Sequence, residues 1–325
     1  MSKQYDVVGA GIAAVDDLLY VANYPPIDCK IPVEGSARHG GGPACTAIAA
    51  VGTLGGRAAY VARFGDNELA RYIQSALVSR NVDTSHMAPD PEGGPYHSII
   101  VVDGEGHRNV FYDPRRYRVV TANDLPDALI QSARLFLLDH ITEPSLLAVA
   151  EKVRRLGVPI LGDIEGRTES SLRLAALTDY LLVPRAFAAW ASGAEDPREA
   201  CALLARTERR STVVTDGAEG CYASTRENPT VRHYPAFRVE AFDTNGCGDT
   251  FHGAFALAVA RGLAVEEAIP FASAAAALKA MACGGKRRGW NALPSLEEVL
   301  QFLHAMLREP EGSRLWGKLE GLLRA

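Results

Sequence analysis

Short apolar runs rich in β-branched residues alternate with helical patterns over most of the 325-residue chain, and this alternation restricts the fold more than any other feature. The strand candidates are residues 5–10, 58–62, 135–139, 159–161, 180–183 and 212–215. Apolar residues recur at helical spacing in 43–56, 144–157 and 197–207, and each of these segments opens with proline. Such alternation predicts an α/β fold, with a mainly parallel sheet covered by helices on both faces.

Two segments interrupt this pattern. Residues 18–39 are extended and contain prolines, and residues 98–120 have the pattern of a hairpin, with SIIVVD and HRNVFY on either side of the turn DGEG. Both segments are too long and too strand-like to be simple connectors in a compact α/β unit. They predict a small second sheet that projects from the main domain as a lid, with an ordinary edge hairpin as the alternative.

The carboxyl-terminal part of the chain is mainly helical in pattern. Helices are predicted at 249–261, at 265–282 before the stop Gly284–Gly285, and at 295–307 after a capping signal at Ser295. The spacing of leucines in the last eighteen or so residues predicts one more amphipathic helix, with Leu315 and Leu319 on its apolar side.

Charge and cysteine usage exclude several classes of protein. The net charge is −5 and no basic tail or stripe is present, which argues against a nucleic-acid partner. No apolar run is long enough for a membrane helix, so no membrane partner is expected. No C-x-x-C pair occurs, so neither a zinc ribbon nor a disulfide scaffold is indicated, and a cytoplasmic setting is expected. The six cysteines are Cys29, Cys45, Cys201, Cys221, Cys247 and Cys283.

A glycine pattern near the amino terminus raises a first alternative. VVGAGIAA, residues 7–14, matches G-x-G-x-x-A after a predicted strand, as in a dinucleotide site. However, Asp16 and Asp17 are followed closely by Tyr24–Pro25–Pro26, which leaves too few residues for a crossover helix. An NAD-dependent oxidoreductase is therefore kept only as an alternative.

The stretch DTNGCGDTFHGAF, residues 243–255, has the features of an anion site. The amides of residues 246–248 would point to one spot ahead of a helix, whose dipole adds about half a positive charge there. The carboxylate of Asp249, where the helix is predicted to begin, could take a proton from a hydroxyl that attacks the anion. Because no G-x-x-x-x-G-K-[ST] sequence occurs, phosphoryl transfer here would not use a P-loop.

Residues 40–73, GGGPACTAIAAVGTLGGRAAYVARFGDNELARYI, resemble the amino-terminal signature of the ribokinase-like (PfkB) carbohydrate kinases. Residues 243–255 resemble the family's carboxyl-terminal signature, D-T-x-G-A-G-D. The order and separation of the two signatures also match, over about residues 5–305. The resemblance implies a single ribokinase-like three-layer α/β/α domain over 1–325, with lid segments at about 17–39 and 96–120. It also implies an ATP-dependent sugar kinase that uses Mg²⁺, and potassium activation is plausible.

The resemblance also implies roles for individual residues. Asp249 would be the general base, and the amides of Gly246, Cys247 and Gly248 would form the anion hole for the γ-phosphoryl group. The residues implied for the sugar are Asp16, Gly41, Gly42 and Thr46, and Asp139 is a further candidate at the end of a predicted strand. The residues implied for ATP are Thr215, Gly217, Gly220, Gly246, Gly248, Ala277 and Gly284. Asp243 and Thr244 match positions beside a monovalent-cation site.

The chain departs from the family pattern where N-x-x-E normally helps to organise magnesium. Pro184 and Phe187 stand at those positions, so Mg²⁺ would be held chiefly by the nucleotide phosphates and by water, or activity would be reduced. A non-catalytic, sugar-binding member of the family is therefore a further hypothesis. Cys247 replaces the usual alanine, which leaves the required amide in place.

The substrate is expected to be a neutral sugar, ribose- or ketose-like, phosphorylated on a primary hydroxyl. GGGPACT, FHGAF with His252, and the missing N-x-x-E resemble the branch that contains sulfofructose kinase, so a sulfonated ketose is the second candidate. Arginines on the predicted lid, such as Arg108, could supply the charge that a sulfonate needs. A nucleoside is less favoured, and a homodimer through the lid strands is possible.

Overall fold

The computed structural model describes residues 3–105, 107–139, 144–307, 317, 319 and 321. Most of the predicted tail helix, including Leu315, lies outside these residues. Of the described part of the chain, no helix combines the length and the apolar character needed to cross a membrane.

Fifteen strands and ten α-helices form within the described residues. The strands are β1 (Tyr5–Ala10), β2 (Ala14–Tyr20), β3 (Gly35–Gly41), β4 (Ala58–Val61), β5 (Arg63–Phe64), β6 (Val82–Asp83), β7 (Ala88–Pro89), β8 (Tyr96–Val102), β9 (Arg108–Asp113), β10 (Ala133–Asp139), β11 (Ile160–Asp163), β12 (Tyr180–Pro184), β13 (Ser211–Thr215), β14 (Cys221–Thr225) and β15 (Arg232–Tyr234). The helices are α1 (Pro43–Thr53), α2 (Glu68–Val78), α3 (Asp127–Ser132), α4 (Pro144–Arg155), α5 (Glu169–Leu177), α6 (Arg185–Ser192), α7 (Pro197–Leu204), α8 (Cys247–Ala260), α9 (Val265–Gly285) and α10 (Leu296–Met306).

The main sheet has the strand order β15-β14-β13-β12-β11-β10-β1-β4-β6 among the described residues. Pairing is parallel from β13 to β6, and only β14 and β15 at one edge are antiparallel. All six predicted strands lie in this sheet. Parallel strands are buried on both faces, which explains why they read as nearly continuous apolar runs.

Successive strand residues enter different cores because their side chains alternate between the two faces of the sheet. Val7 packs in a core with α1, α8 and α9, whereas its neighbour Val8 packs in a second core with α4 and α7. The predicted α/β fold with a mainly parallel sheet is therefore confirmed. At the start of α10, Ser295 and Glu298 form a reciprocal capping box, as the sequence predicts.

The second, four-stranded sheet has the order β3-β2-β8-β9, and we call it the lid sheet. β8 and β9 form the predicted antiparallel hairpin, while β2 pairs in parallel with β8. Only three residues separate the end of β1 from the start of β2, which is a strand rather than a crossover helix. The alternative of a dinucleotide site at residues 7–14 is therefore wrong, because no helix follows the glycines to hold a pyrophosphate.

Candidate active site

The amino terminus of α8 lies at the centre of the site. Gly246 caps the helix in a left-handed conformation, with φ 74°, that favours glycine. The prediction that the helix begins at Asp249 is wrong by two residues, since this turn allows α8 to start at Cys247 and places Asp249 in the first helical turn. The amide of Cys247 donates to the Thr244 carbonyl at 3.3 Å, and those of Gly246 and Gly248 donate to no described group. Unpaired amides and the helix dipole together favour an anion here.

Asp249 is partly buried beside three other carboxylates. Burial raises the pKa of Asp249 well above the usual range for aspartate, and the nearby Asp163 carboxylate raises it further. The imidazole of His252 opposes this shift, while Glu165 and Asp139 add to it. A carboxylate with a raised pKa holds a proton more readily, which suits a general base that works near neutral pH.

His252 and Asp163 form a buried ion pair next to Asp249. His252 lies three residues after Asp249, so the two side chains share a face of α8. Its Nδ1 is 2.8 Å from Oδ2 of Asp163, and the two side chains are 3% and 0% exposed. Burial disfavours the imidazolium, but the carboxylates of Asp163, Asp249 and Glu165 together outweigh this effect, and the pKa of His252 is raised. His252 therefore faces Asp163 and Asp249 from inside the protein.

We expect His252→Gln to move the acidic limb of the kcat–pH profile to higher pH. As a general base, Asp249 would act only when deprotonated, and loss of the imidazolium leaves the Asp163 carboxylate unopposed beside it, so the pKa of Asp249 rises. The double variant His252→Gln, Asp163→Asn should return the limb towards its original position, because it removes both charges. An unmoved limb in the single variant would show that His252 does not act on the base.

A cavity of about 70 Å³ lies on one side of this helix terminus. Its lining includes the predicted sugar residues Asp16, Gly41, Gly42 and Thr46, together with Asp249 and Gly246. Gly41 has to be glycine, since a Cβ there would lie 2.2 Å from Oδ2 of Asp16. Burial raises the pKa of Asp16, and a hydrogen bond from Ser98 opposes this. We call this space the sugar-side cavity.

Trp290 completes the sugar-side cavity, and the sequence analysis missed it. Its indole N–H donates to Oγ1 of Thr46 at 2.9 Å, which leaves the threonine hydroxyl hydrogen free to be directed elsewhere. A Cβ at Gly40 would lie 2.6 Å from the Trp290 ring, and one at Gly289 would lie 2.2 Å from His39. These contacts fix the segment around 289–290 against the amino-terminal signature.

Asp139 is not placed in the sugar-side cavity. Its side chain is fully buried, and Oδ2 accepts hydrogen bonds from the amides of Ile12 at 2.6 Å and Ala44 at 3.2 Å. Asp139 thus holds the start of α1 and the β1–β2 connection together. Asp139 was predicted to contact substrate because it stands at the end of a predicted strand. The sequence does not reveal that its carboxylate instead accepts hydrogen bonds from backbone amides.

A larger cavity, of about 420 Å³, lies on the other side of the α8 terminus. Its lining includes the predicted nucleotide residues Thr215, Gly217, Gly220, Gly248 and Ala277. Gly246, also predicted here, lines the sugar-side cavity instead, and Gly284 lines neither cavity. We call this space the nucleotide-side cavity, because its volume suits a nucleotide better than that of its smaller neighbour.

The predicted cation positions, Asp243 and Thr244, line different cavities. Thr244 lines the nucleotide-side cavity, and Asp243 lines the sugar-side cavity. The Asp243 carboxylate accepts from the Lys279 ammonium at 3.1 Å and from the amides of Asn245 and Gly289 at 3.0 and 3.3 Å. Burial opposes ionisation of Asp243, but Lys279 and the amides of Asn245 and Gly289 together outweigh it, and the pKa of Asp243 is lowered.

The positions at which family members bind magnesium do not fit that role here. Phe187 is 1% exposed and packs in the second core, and Pro184 precedes α6 as its N-cap. Neither side chain offers the oxygen atom that Mg²⁺ requires.

Two cavities meet at a helix terminus whose free amides favour an anion, with a carboxylate beside it, and this arrangement suits phosphoryl transfer without a P-loop. Comparison with known proteins agrees, because residues 3–287 match the pfkB family carbohydrate kinase domain. The chain belongs to the PfkB family and is a sugar kinase, a phosphotransferase with an alcohol group as acceptor.

Individual relatives support the same assignment. Fructokinase-1 of Zea mays is 27% identical over 290 residues, which covers 81% of this chain and 88% of the relative. The structure of Arabidopsis thaliana ribokinase with ribose and ATP is 20% identical and has a TM-score of 0.79, covering 93% of this chain and 99% of that one. A structure from Escherichia coli assigned to ribokinase II, with ATP and Mg²⁺, is 18% identical with a TM-score of 0.77, covering 94% and 100%. At these identities the two structures show a shared fold.

Proposed function

We propose that this kinase transfers the γ-phosphate of ATP to a primary hydroxyl of a neutral sugar, ribose- or ketose-like, with Asp249 as general base. One observation carries the proposal: Gly246 and Asp249 line the sugar-side cavity, while Cys247 and Gly248, on the same turn of backbone, line the nucleotide-side cavity. A hydroxyl and a γ-phosphoryl group held in the two cavities would meet at this turn.

In the proposed reaction, the Asp249 carboxylate takes the proton of the sugar hydroxyl as its oxygen attacks the γ-phosphorus. A new phosphorus–oxygen bond forms, the bond to the oxygen bridging the β- and γ-phosphorus atoms breaks, and ADP leaves with the electron pair. The amides at the start of α8 stabilise charge on the transferring group. Mg²⁺ would enter with ATP and would be held chiefly by the nucleotide phosphates and by water, because the side chains of Pro184 and Phe187 cannot bind it.

The charges around the sugar-side cavity favour a neutral substrate. Three carboxylates, Asp16, Asp243 and Asp249, line it, and Lys279 in the same lining is paired with Asp243. Burial lowers the pKa of His39, so this histidine adds no positive charge near neutral pH. A sulfonate would require convergent cations, and this lining does not provide them.

A sulfonated ketose remains the second candidate because of Arg108. Its guanidinium, on β9 of the lid sheet, donates to Oδ1 of Asn245 at 3.1 Å, and Asn245 lines the sugar-side cavity. Arg108 could therefore turn towards an anionic substituent at the cavity rim. A nucleoside stays a less favoured alternative.

The proposal is tested by measuring ADP formation from ATP over a panel of ketoses, pentoses, nucleosides and sulfonated ketoses, with and without potassium. We expect turnover with a neutral ketose or pentose. Turnover with sulfonated ketoses alone would show that the second candidate, and not a neutral sugar, is the substrate. If none of the sugars produced ADP but a sugar still bound by calorimetry, the non-catalytic alternative would be correct.

We also propose a homodimer through the lid sheet. Phe111 on β9 pairs with Ile99 on β8, so the two side chains share one face of the sheet, and they are 53% and 42% exposed. Val110 and Tyr112, which are 54% and 64% exposed, lie on the opposite face of the same edge strand. Adjacent exposed apolar residues of this kind often mark an interface. Light scattering should give twice the chain mass, and a monomer at micromolar concentration would contradict the proposal.

A further inference from the structure

Lys279 is a buried lysine in an otherwise apolar part of α9. Its neighbours in the sequence AAAALKAMA are small or apolar, and its side chain is 1% exposed. A buried ammonium is costly unless it is paired and hydrogen-bonded. Its ion pair with Asp243, at 3.1 Å, is the only one found for it among the described residues. Such a residue needs an explanation beyond packing.

Asp243 connects the catalytic turn to the end of α9 and the segment after it. Its carboxylate accepts from the amide of Asn245, just before the anion hole, and from the amide of Gly289. Its own amide donates to the carbonyl of Ala280 at 3.1 Å. Because Asp243 lies three residues before Gly246, an unneutralised charge here would oppose binding of the phosphoryl anion.

A monovalent cation does not fit beside this carboxylate. Oδ1 accepts an amide, and Oδ2 accepts both the Lys279 ammonium and the Gly289 amide. A potassium ion bound to the same oxygen would lie next to a fixed positive charge, and the two like charges would repel. The residues present therefore disagree with the potassium site that the family resemblance implies.

We propose that Lys279 is a built-in monovalent cation, whose ammonium neutralises Asp243 and holds the catalytic turn so that the kinase needs no potassium. Lys279 is a positioning residue, since it acts through Asp243 and the turn that follows. The proposal rests on the proposed kinase function, but the ion pair can also be tested in the absence of any substrate.

The first test compares potassium chloride with tetramethylammonium chloride at equal ionic strength. Turnover and melting temperature of the unaltered kinase should be the same in both salts. An increase of about tenfold or more in turnover with potassium, the scale of a typical coupling between two binding sites, would overturn the proposal. If no sugar is turned over in either salt, the kinase function itself has failed, and the melting temperatures still test the ion pair.

The second test restores the missing cation from solution. Lys279→Ala opens space beside Asp243 and leaves its charge unpaired, and we expect a loss of roughly 100-fold or more in turnover, because the unpaired negative charge repels the transferring phosphoryl group. Potassium or ammonium should restore part of the turnover and raise the melting temperature, whereas tetramethylammonium, which is too large, should do neither. Lack of any salt-specific rescue in the folded variant would overturn the proposal.

Two further variants serve as controls. Lys152→Met removes a lysine that is 16% exposed and paired with Asp127 on α3, away from both cavities, and it should show no potassium effect. If Lys279→Ala does not fold, the double variant Lys279→Met, Asp243→Asn should fold better than Lys279→Met alone, because it removes both charges. A double variant no more stable than Lys279→Met would contradict the role of the ion pair.

Discussion

Asp249→Asn is expected to lower kcat by about 10²- to 10⁴-fold, the range contributed by general acid–base catalysis. Asparagine keeps the size of the side chain and its place in the first turn of α8, but its amide cannot accept the proton of the sugar hydroxyl. Affinities for sugar and for ATP, measured separately by calorimetry, should change little, because the rest of both cavities is untouched.

Asp66→Asn is a suitable control for this variant. Asp66 is an exposed carboxylate beside the start of α2, paired with Arg71, and it lines neither cavity. Its substitution should leave kcat unchanged. If Asp249→Asn turned over sugar at the normal rate, another group would have to remove the proton and the proposed mechanism would be wrong.

Asp16→Ala is expected to weaken sugar binding by roughly 100-fold, which corresponds to one or two hydrogen bonds to a charged group. Asp16 is 9% exposed, and its carboxylate faces the sugar-side cavity from β2. ATP affinity should be preserved, because Asp16 does not line the nucleotide-side cavity. Calorimetry with each ligand alone measures the two affinities, and the opposite pattern would mean that the two sites had been exchanged.

The adjacent residue provides a matched control. Asp17 follows Asp16 on β2, so its side chain points to the other face of the lid sheet, where it pairs with Arg38 at 2.6 Å. Asp17→Asn removes one carboxylate from the same strand without altering the sugar-side cavity. Its effect on sugar affinity should be small, and a loss equal to that of Asp16→Ala would point to damage to the lid sheet.

The elements that the sequence predicts well are those with a strong local signal. The strand at Tyr5–Ala10 is buried throughout, and Tyr96–Val102 and Arg108–Asp113 are two clear strands of one antiparallel pair, so pattern alone locates them. The start of α8 was misplaced because Gly246 adopts its positive φ only in the folded turn, and Asp249 resembles an ordinary N-cap in sequence.

The site residues that were missed depend on contacts between distant parts of the chain. The Trp290 indole hydrogen-bonds to Thr46, 244 positions away, and Asp163 at the end of β11 contacts His252 on α8. No local pattern reports such a pairing. Lys279, in contrast, is visible in the sequence. It is a single lysine within a run of alanines that is typical of a buried helix, and lysine is rarely fully buried unless it is paired.

The bond between Trp290 and Thr46 has a consequence for synthesis of the protein. The sugar-side cavity needs residues between positions 16 and 46 and residues near position 290, and the latter leave the ribosome long after the former. Amino-terminal segments fold earlier during translation. A nascent chain therefore has no complete acceptor site, and it should not consume ATP, until the segment around Trp290 has emerged.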